Sequence, residues 1–229
     1  MTSGDPSRLP LFPLGTVLFP GVLLPLHVFE ERYRRMVRDL LEEDQDRRDL
    51  GIVAIREGRE VGGSRTDGLK ALHPVGCVAR LRRVDPYADG RFDIVCMGTS
   101  RFRLTGDGLD TSLPYLRGRT QLLDEPPGEA PGPAAGTVRA LFDTYRQALG
   151  GDSAGTTDDD VPHDPRQLSY LVAATVVLDL TDRQRLLEAP DTTARLRSEI
   201  RLLRRETALL ASLPSLPGVE LTRVPANPN

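Results

Sequence analysis

Lysine is almost missing from this chain of 229 residues: Lys70 is the only one, and arginine supplies the rest of the 30 basic side chains. That shortage excludes chemistry. A Walker-type phosphate loop needs a glycine-rich turn followed by lysine and Ser or Thr, whereas Lys70 sits in Gly68-Leu69-Lys70-Ala71. A Ser–Lys dyad would have to use the same residue, with no serine nearer than Ser64. Histidine is scarce too. Only His27, His73 and His163 occur, and the Gly-x-Ser-x-Gly match at Gly151-Asp152-Ser153-Ala154-Gly155 lies in a Gly/Ser/Thr/Asp-rich stretch after an expected helix, without the strand that a nucleophile elbow needs. No catalytic residue is assigned, and the chain reads as non-enzymatic.

Cysteine is limited to Cys77 and Cys96, too few for a disulfide framework and in keeping with a reducing compartment. His73, Cys77 and Cys96 fall short of a zinc ligand set. They read better as small buried side chains of a sheet, so no metal or other cofactor is expected. The acidic run Asp158-Asp159-Asp160 near His163 and Asp164 reads as a solvated loop. Net charge is −3 with a pI near 5.7, which gives no electrostatic reason to bind nucleic acid or an anionic membrane. Long unbroken apolar runs are also lacking. Prolines interrupt Leu9 to Phe29, which is therefore neither a signal peptide nor a membrane span, and a cytoplasmic protein is expected.

What is present divides in two. The first half reads as strands: Leu9 to Phe12, Thr16 to Phe19, Gly51 to Arg56, Val75 to Val84, Arg91 to Met97, Phe102 to Leu104 and Tyr115 to Leu122. Asp89-Gly90 marks a hairpin between the fourth and fifth of these. Tyr33, Met36, Val37, Leu40 and Leu41 recur at helical spacing, so one helix interrupts the strands. Its outer face offers Glu30–Arg34 and Glu31–Arg35 as i,i+4 pairs.

From Asp124 to Gly136 the composition shifts to Pro, Gly, Ala and Glu, which reads as a linker. Helices follow. One is carried by Val138, Leu141, Phe142, Tyr145 and Leu149, and a mobile loop is expected from Gly151 to His163. Asp164 and Pro165 open the next helix, and Thr181 with Gln184 has capping-box spacing for a short one. Asp191 caps a long helix to about Leu213, whose Leu196, Ile200, Leu203, Thr207 and Leu210 form a narrow seam. That seam suits packing within the chain or pairing in a homodimer. The expected domains are 9–124, a linker at 125–136, a helical part at 137–213 and a disordered tail at 214–229.

The order of residues from Leu9 to Val37 carries a resemblance. Leu24, Pro25, Leu26, His27, Val28, Phe29, Glu30, Arg32 and Tyr33 resemble the opening of the LON substrate-binding domain, known from ATP-dependent Lon proteases and from stand-alone bacterial proteins. Glu31 stands where that family usually has proline, and either residue suits a first helical turn. Gly76-Cys77-Val78-Ala79, Gly98-Thr99-Ser100-Arg101-Phe102, and the helical blocks at Leu168–Ala173 and Arg183–Glu188 continue the likeness. It spans roughly Leu9 to Leu213.

The resemblance implies an α+β fold: a β-rich, PUA-like pseudo-barrel with one inserted helix, followed by a helical bundle ending in a long helix. It also implies a non-catalytic module that binds polypeptide, either unfolded protein or a defined partner, since this sequence carries neither the ATPase nor the Ser–Lys protease domain of full Lon enzymes. Leu18, Phe19, Leu23 and Leu24, in the proline-broken segment, are the candidate binding patch. Glu30 and Arg101 are a candidate structural ion pair. The rival from another class is an RNA-binding module, because PUA-like folds elsewhere bind RNA. Arg80, Arg82, Arg83, Arg101, Arg103, Arg117 and Arg119 would be its basic stripe.

Overall fold

The computed structural model describes residues 7–56, 69–150 and 161–212. The first half contains β1 (Ser7–Leu14), β2 (Leu23–Val28), α1 (Glu31–Leu41), β3 (Asp49–Ala54), β4 (Val75–Pro86), β5 (Phe92–Asp110) and β6 (Arg117–Leu122). The second contains α2 (Pro131–Ala148), α3 (Pro165–Thr175), α4 (Leu180–Glu188) and α5 (Thr192–Ser212). The expected α+β architecture is what the structure shows.

The six strands run in the order β2-β5-β4-β3-β1-β6, and β5 also pairs with β6. Five strands thus close on themselves, from β5 through β4, β3, β1 and β6 back to β5. β2 stands outside the ring and, among the described residues, pairs only with the first part of β5. The 19-residue length of β5 allows this, because Phe92–Met97 pairs with β2 and Phe102–Asp110 pairs with β6. β1 and β3 are parallel, and parallel neighbours need a crossover. β2 and α1 lie within that connection.

Both faces of the ring are covered, which explains the nearly continuous apolar stretches of β3 and early β4. On one face Leu11, Val53, Val78, Phe102 and Leu109 cluster. On the other, Phe12, Ile52, Cys77 and Leu81 meet α1 through Tyr33, Met36, Val37 and Leu40, the stripe expected from periodicity. Phe12 and Tyr33 stack with centroids 4.1 Å apart. A side chain at Gly98 would run into the Phe19 carbonyl. Its absence lets the segment before β2 lie against β5, where the Gly21 N–H donates to the Gly98 carbonyl and the Gly98 N–H to the Val22 carbonyl, both at 2.9 Å.

Several local expectations are corrected. Thr16 to Phe19 is not a strand but a buried connection; the strand in this region is β2, where Pro25 is tolerated because the strand is an edge. β5 is continuous where two strands were expected. α2 begins at Pro131, inside the expected linker, since prolines in a first turn have no N–H to lose. The cap of α4 is Asp179, whose carboxylate accepts from Asp182 N–H at 2.7 Å, not Thr181. Asp164 caps α3 as expected, accepting from Gln167 N–H at 2.9 Å. On α1 the ion pairs are Glu31–Arg34, Glu31–Arg38 and Arg35–Asp39, so side-chain reach overrode the i,i+4 spacing expected for Glu30–Arg34 and Glu31–Arg35. In α5, Leu196 and Leu203 are buried against the helical core, with Ile200 and Leu210 packed beside them, so the seam is used within the chain. The acidic run 158–160, most of the expected loop at 151–163 and the tail 214–229 lie outside the described residues.

Candidate functional site

The proposed patch divides on inspection. Leu18 and Phe19 are 2% and 1% exposed and belong to two different cores, Phe19 facing Tyr170, so they cannot form a surface. Four apolar residues among prolines look exposed in sequence, but the tight approach at Gly98 turns this segment inward. Leu23 is 59% exposed and Leu24 is partly buried, both on β2.

The surface feature of this region lies further along β2. An apolar groove of about 490 Å³ opens between its Leu26–Val28 end and the C-terminal end of β1. Phe12, Pro13, Leu14, Ile55 and Tyr33 line it, and Phe29 stands at its rim, 62% exposed. Around Phe29 the polar groups satisfy one another. Glu30 pairs with Arg32 at 2.8 Å, and that guanidinium lies 4.7 Å from the centre of the Tyr33 ring. His27 Nδ1 is 2.7 Å from Asp93, which also accepts from the Tyr87 hydroxyl. That hydroxyl bond first, and His27 second, hold the Asp93 carboxyl below its usual range. The groove therefore offers mainly apolar surface to a ligand. Of its residues, Phe29 stood in the sequence block that carried the family likeness; Pro13, Leu14 and Ile55 gave no local signal, because the pairing of β1 with β3 brings them together.

The expected Glu30–Arg101 pair does not form. Glu30 is engaged with Arg32, and Arg101 is buried at the junction of the two halves, 2% exposed. Its Nε donates to Glu125 at 2.6 Å, and its other nitrogens reach the carbonyls of Asp124, Leu187 and Ala189. Glu125 also accepts from the Tyr170 hydroxyl at 2.6 Å and lies 3.5 Å from Arg195, itself fully buried and stacked 4.0 Å from the centre of the Tyr170 ring. Gln184 of α4 donates to the Val75 carbonyl at 3.0 Å. This network clamps the sheet to the helices. Within it the Tyr170 hydroxyl is pushed upward, chiefly by burial.

Other candidates offer no reactive group. Burial pushes the Cys77 thiol far up and the Cys96 thiol to about 12, so neither is a thiolate at neutral pH. No group of three His, Cys, Asp or Glu suited to a metal exists among the described residues. His73 is lowered, mainly by burial, with Glu188 3.9 Å away. Three of the seven arginines of the stripe are committed: Arg80 forms a two-pronged pair with Asp49 at 2.7 Å, Arg83 pairs with Asp85, and Arg101 is inside. Among the described residues no helix is long and apolar enough to cross a membrane.

Comparison with known proteins agrees with this architecture. Residues 8–205 match the family model of the ATP-dependent protease La (LON) substrate-binding domain. Lon protease 2 of Myxococcus xanthus is 28% identical over 214 residues, and Lon protease 2 of Sorangium cellulosum is 29% identical over 234. These matches cover 90% and 92% of the chain but 24% and 27% of the relatives, so the chain spans about a quarter of their length. The N-terminal domain of Mycobacterium avium complex Lon protease superposes with a TM-score of 0.66 at 18% identity, covering 88% of this chain and 98% of that one. A Lon N-terminal domain protein from Xanthomonas campestris gives 0.57 at 24% identity, covering 91% and 99%. At these identities the two structures speak for the fold.

Proposed function

Because the chain belongs to the LON substrate-binding domain family, we propose that it binds polypeptide, preferring unfolded chains, and that the groove beside β2 receives them. The observation that carries this reading is an open apolar groove whose rim residue, Phe29, is mostly exposed although it is large and aromatic. Large exposed apolar groups grouped at one place mark interaction surfaces, whereas scattered ones do not. Folded proteins keep such side chains inside; unfolded ones present them. Recognition of this kind needs no cofactor and no reacting group.

The test is fluorescence anisotropy with labelled lactalbumin in two forms, native and reduced with its thiols carboxymethylated. The reduced form is expected to bind and the native form to bind at least about tenfold more weakly. Equal binding of both forms, or binding of neither, would contradict the proposal.

A further inference from the structure

The outer edge of β2 suggests how a client would be held. In an antiparallel pair, successive residues direct their backbone groups alternately toward and away from the partner strand. The Gly98 N–H donates to the Val22 carbonyl at 2.9 Å, and the register continues with Leu24 opposite Cys96, Leu26 opposite Ile94 and Val28 opposite Phe92. These residues face β5. Leu23, Pro25 and His27 face the other way, where no strand pairs with β2 among the described residues. Pro25, the one residue of β2 without an N–H, falls in this outward set, where its missing donor breaks no ladder bond. The outward edge thus presents the carbonyls of Leu23, Pro25 and His27 and the N–H groups of Leu23 and His27. The groove lies on this same side, since β2 and the end of β1 bound it and no residue of β5 lines it.

Resting on the polypeptide-binding reading above, we propose that the protein holds an extended client segment as an added strand on the outer edge of β2, with the segment's alternate side chains entering the groove. The edge and the groove together specify this occupant. A helix satisfies its backbone internally and would leave the edge groups bare, whereas an extended segment pairs with them and directs every second side chain to one face. Phe12, Pro13, Leu14 and Ile55 make that face apolar, so the segment is one in which apolar residues alternate. A second copy of this chain fits less well. Two β2 edges paired antiparallel about Pro25 would set proline against proline and lose the central donors.

The experiment uses a fluorescein-labelled peptide of about eight residues alternating valine with threonine, prepared also with single N-methyl groups at successive positions. N-methylation removes one backbone donor and leaves the side chains unchanged. Methylation is expected to weaken binding about tenfold at every second position and to change it little between. His27→Pro, which removes an outward donor at a position equivalent to Pro25, should also weaken the peptide while keeping the melting temperature. Uniform or absent methylation effects, or binding of reduced lactalbumin without the peptide, would overturn strand addition and leave polypeptide binding standing. Failure of both probes to bind would overturn the polypeptide reading itself. Concentration-dependent dimers abolished by His27→Pro, with no peptide bound, would give the edge to a second copy and overturn the proposal.

Discussion

The two stretches of β5 live in contrasting surroundings. Along Phe92–Met97 it lies between β4 and β2, and β2 has a far edge that no strand pairs with among the described residues and a flank that opens into an apolar groove. Beyond Gly98 the same strand carries Arg101 into the junction with the helices, where that guanidinium meets one carboxylate and three carbonyls. A buried polar network fixes the two halves to one another, and an open apolar groove is left for something else. Taking the carboxylate away from such buried charge is costly. Exposed apolar surface with no partner is cheap to alter and available to bind. Stability and recognition should therefore separate along this strand.

Four substitutions break or sharpen that contrast, beginning with the largest effect. Phe19→Asp places a carboxylate in the core between the halves, and should cost more than about 4 kcal/mol, seen as loss of the cooperative melting transition. Glu125→Ala strands Arg101 and Arg195 without their carboxylate; a loss of about 3–5 kcal/mol is expected from chemical denaturation.

Glu199 acts in the opposite direction. It is fully buried in α5 among Val172, Val176 and Leu203, and neither of its oxygens has a hydrogen-bond partner. Burial raises its carboxyl well above the ordinary 4.5, against a smaller lowering by Arg195. The folded chain thus keeps the group neutral while the unfolded chain ionises it, so stability is present below about 4.5 and is lost as pH rises above that value. Glu199→Met should be stabilising by about 1–3 kcal/mol at pH 8. The gain should shrink toward pH 4.5 in melting curves, and a gain independent of pH would contradict this account. Phe29→Asp, at the exposed rim, should change stability by less than about 0.5 kcal/mol while weakening client binding.

The sequence reveals most where neighbours along the chain determine structure. The α1 stripe from Tyr33 to Leu40, the turn at Asp89-Gly90 and the Asp164 cap are each set within a few residues, and each is found in the structure. Arg101 illustrates the opposite case. Its partners Glu125, Leu187 and Ala189 are 24 to 88 residues away, and no local pattern distinguishes Glu125 from Glu30 as the carboxylate that reaches it. Likewise Leu18 and Leu23 differ little as residues. Only the close approach at Gly98 sends one inward and leaves the other on an edge strand. The groove itself is a product of topology, since Ile55 and Leu14 meet β2 through the parallel pairing of β1 with β3.

The separation of recognition from stability is tested most directly by measuring reduced lactalbumin binding to Phe29→Asp and to Tyr170→Phe, which removes only the hydroxyl bond to Glu125. Phe29→Asp should weaken binding about tenfold with its melting temperature unchanged, while Tyr170→Phe should lose about 1 kcal/mol of stability and bind as the parent does. Full binding by Phe29→Asp, with binding lost instead in a folded Tyr170→Phe, would contradict the account and move the recognition surface to the junction of the two halves.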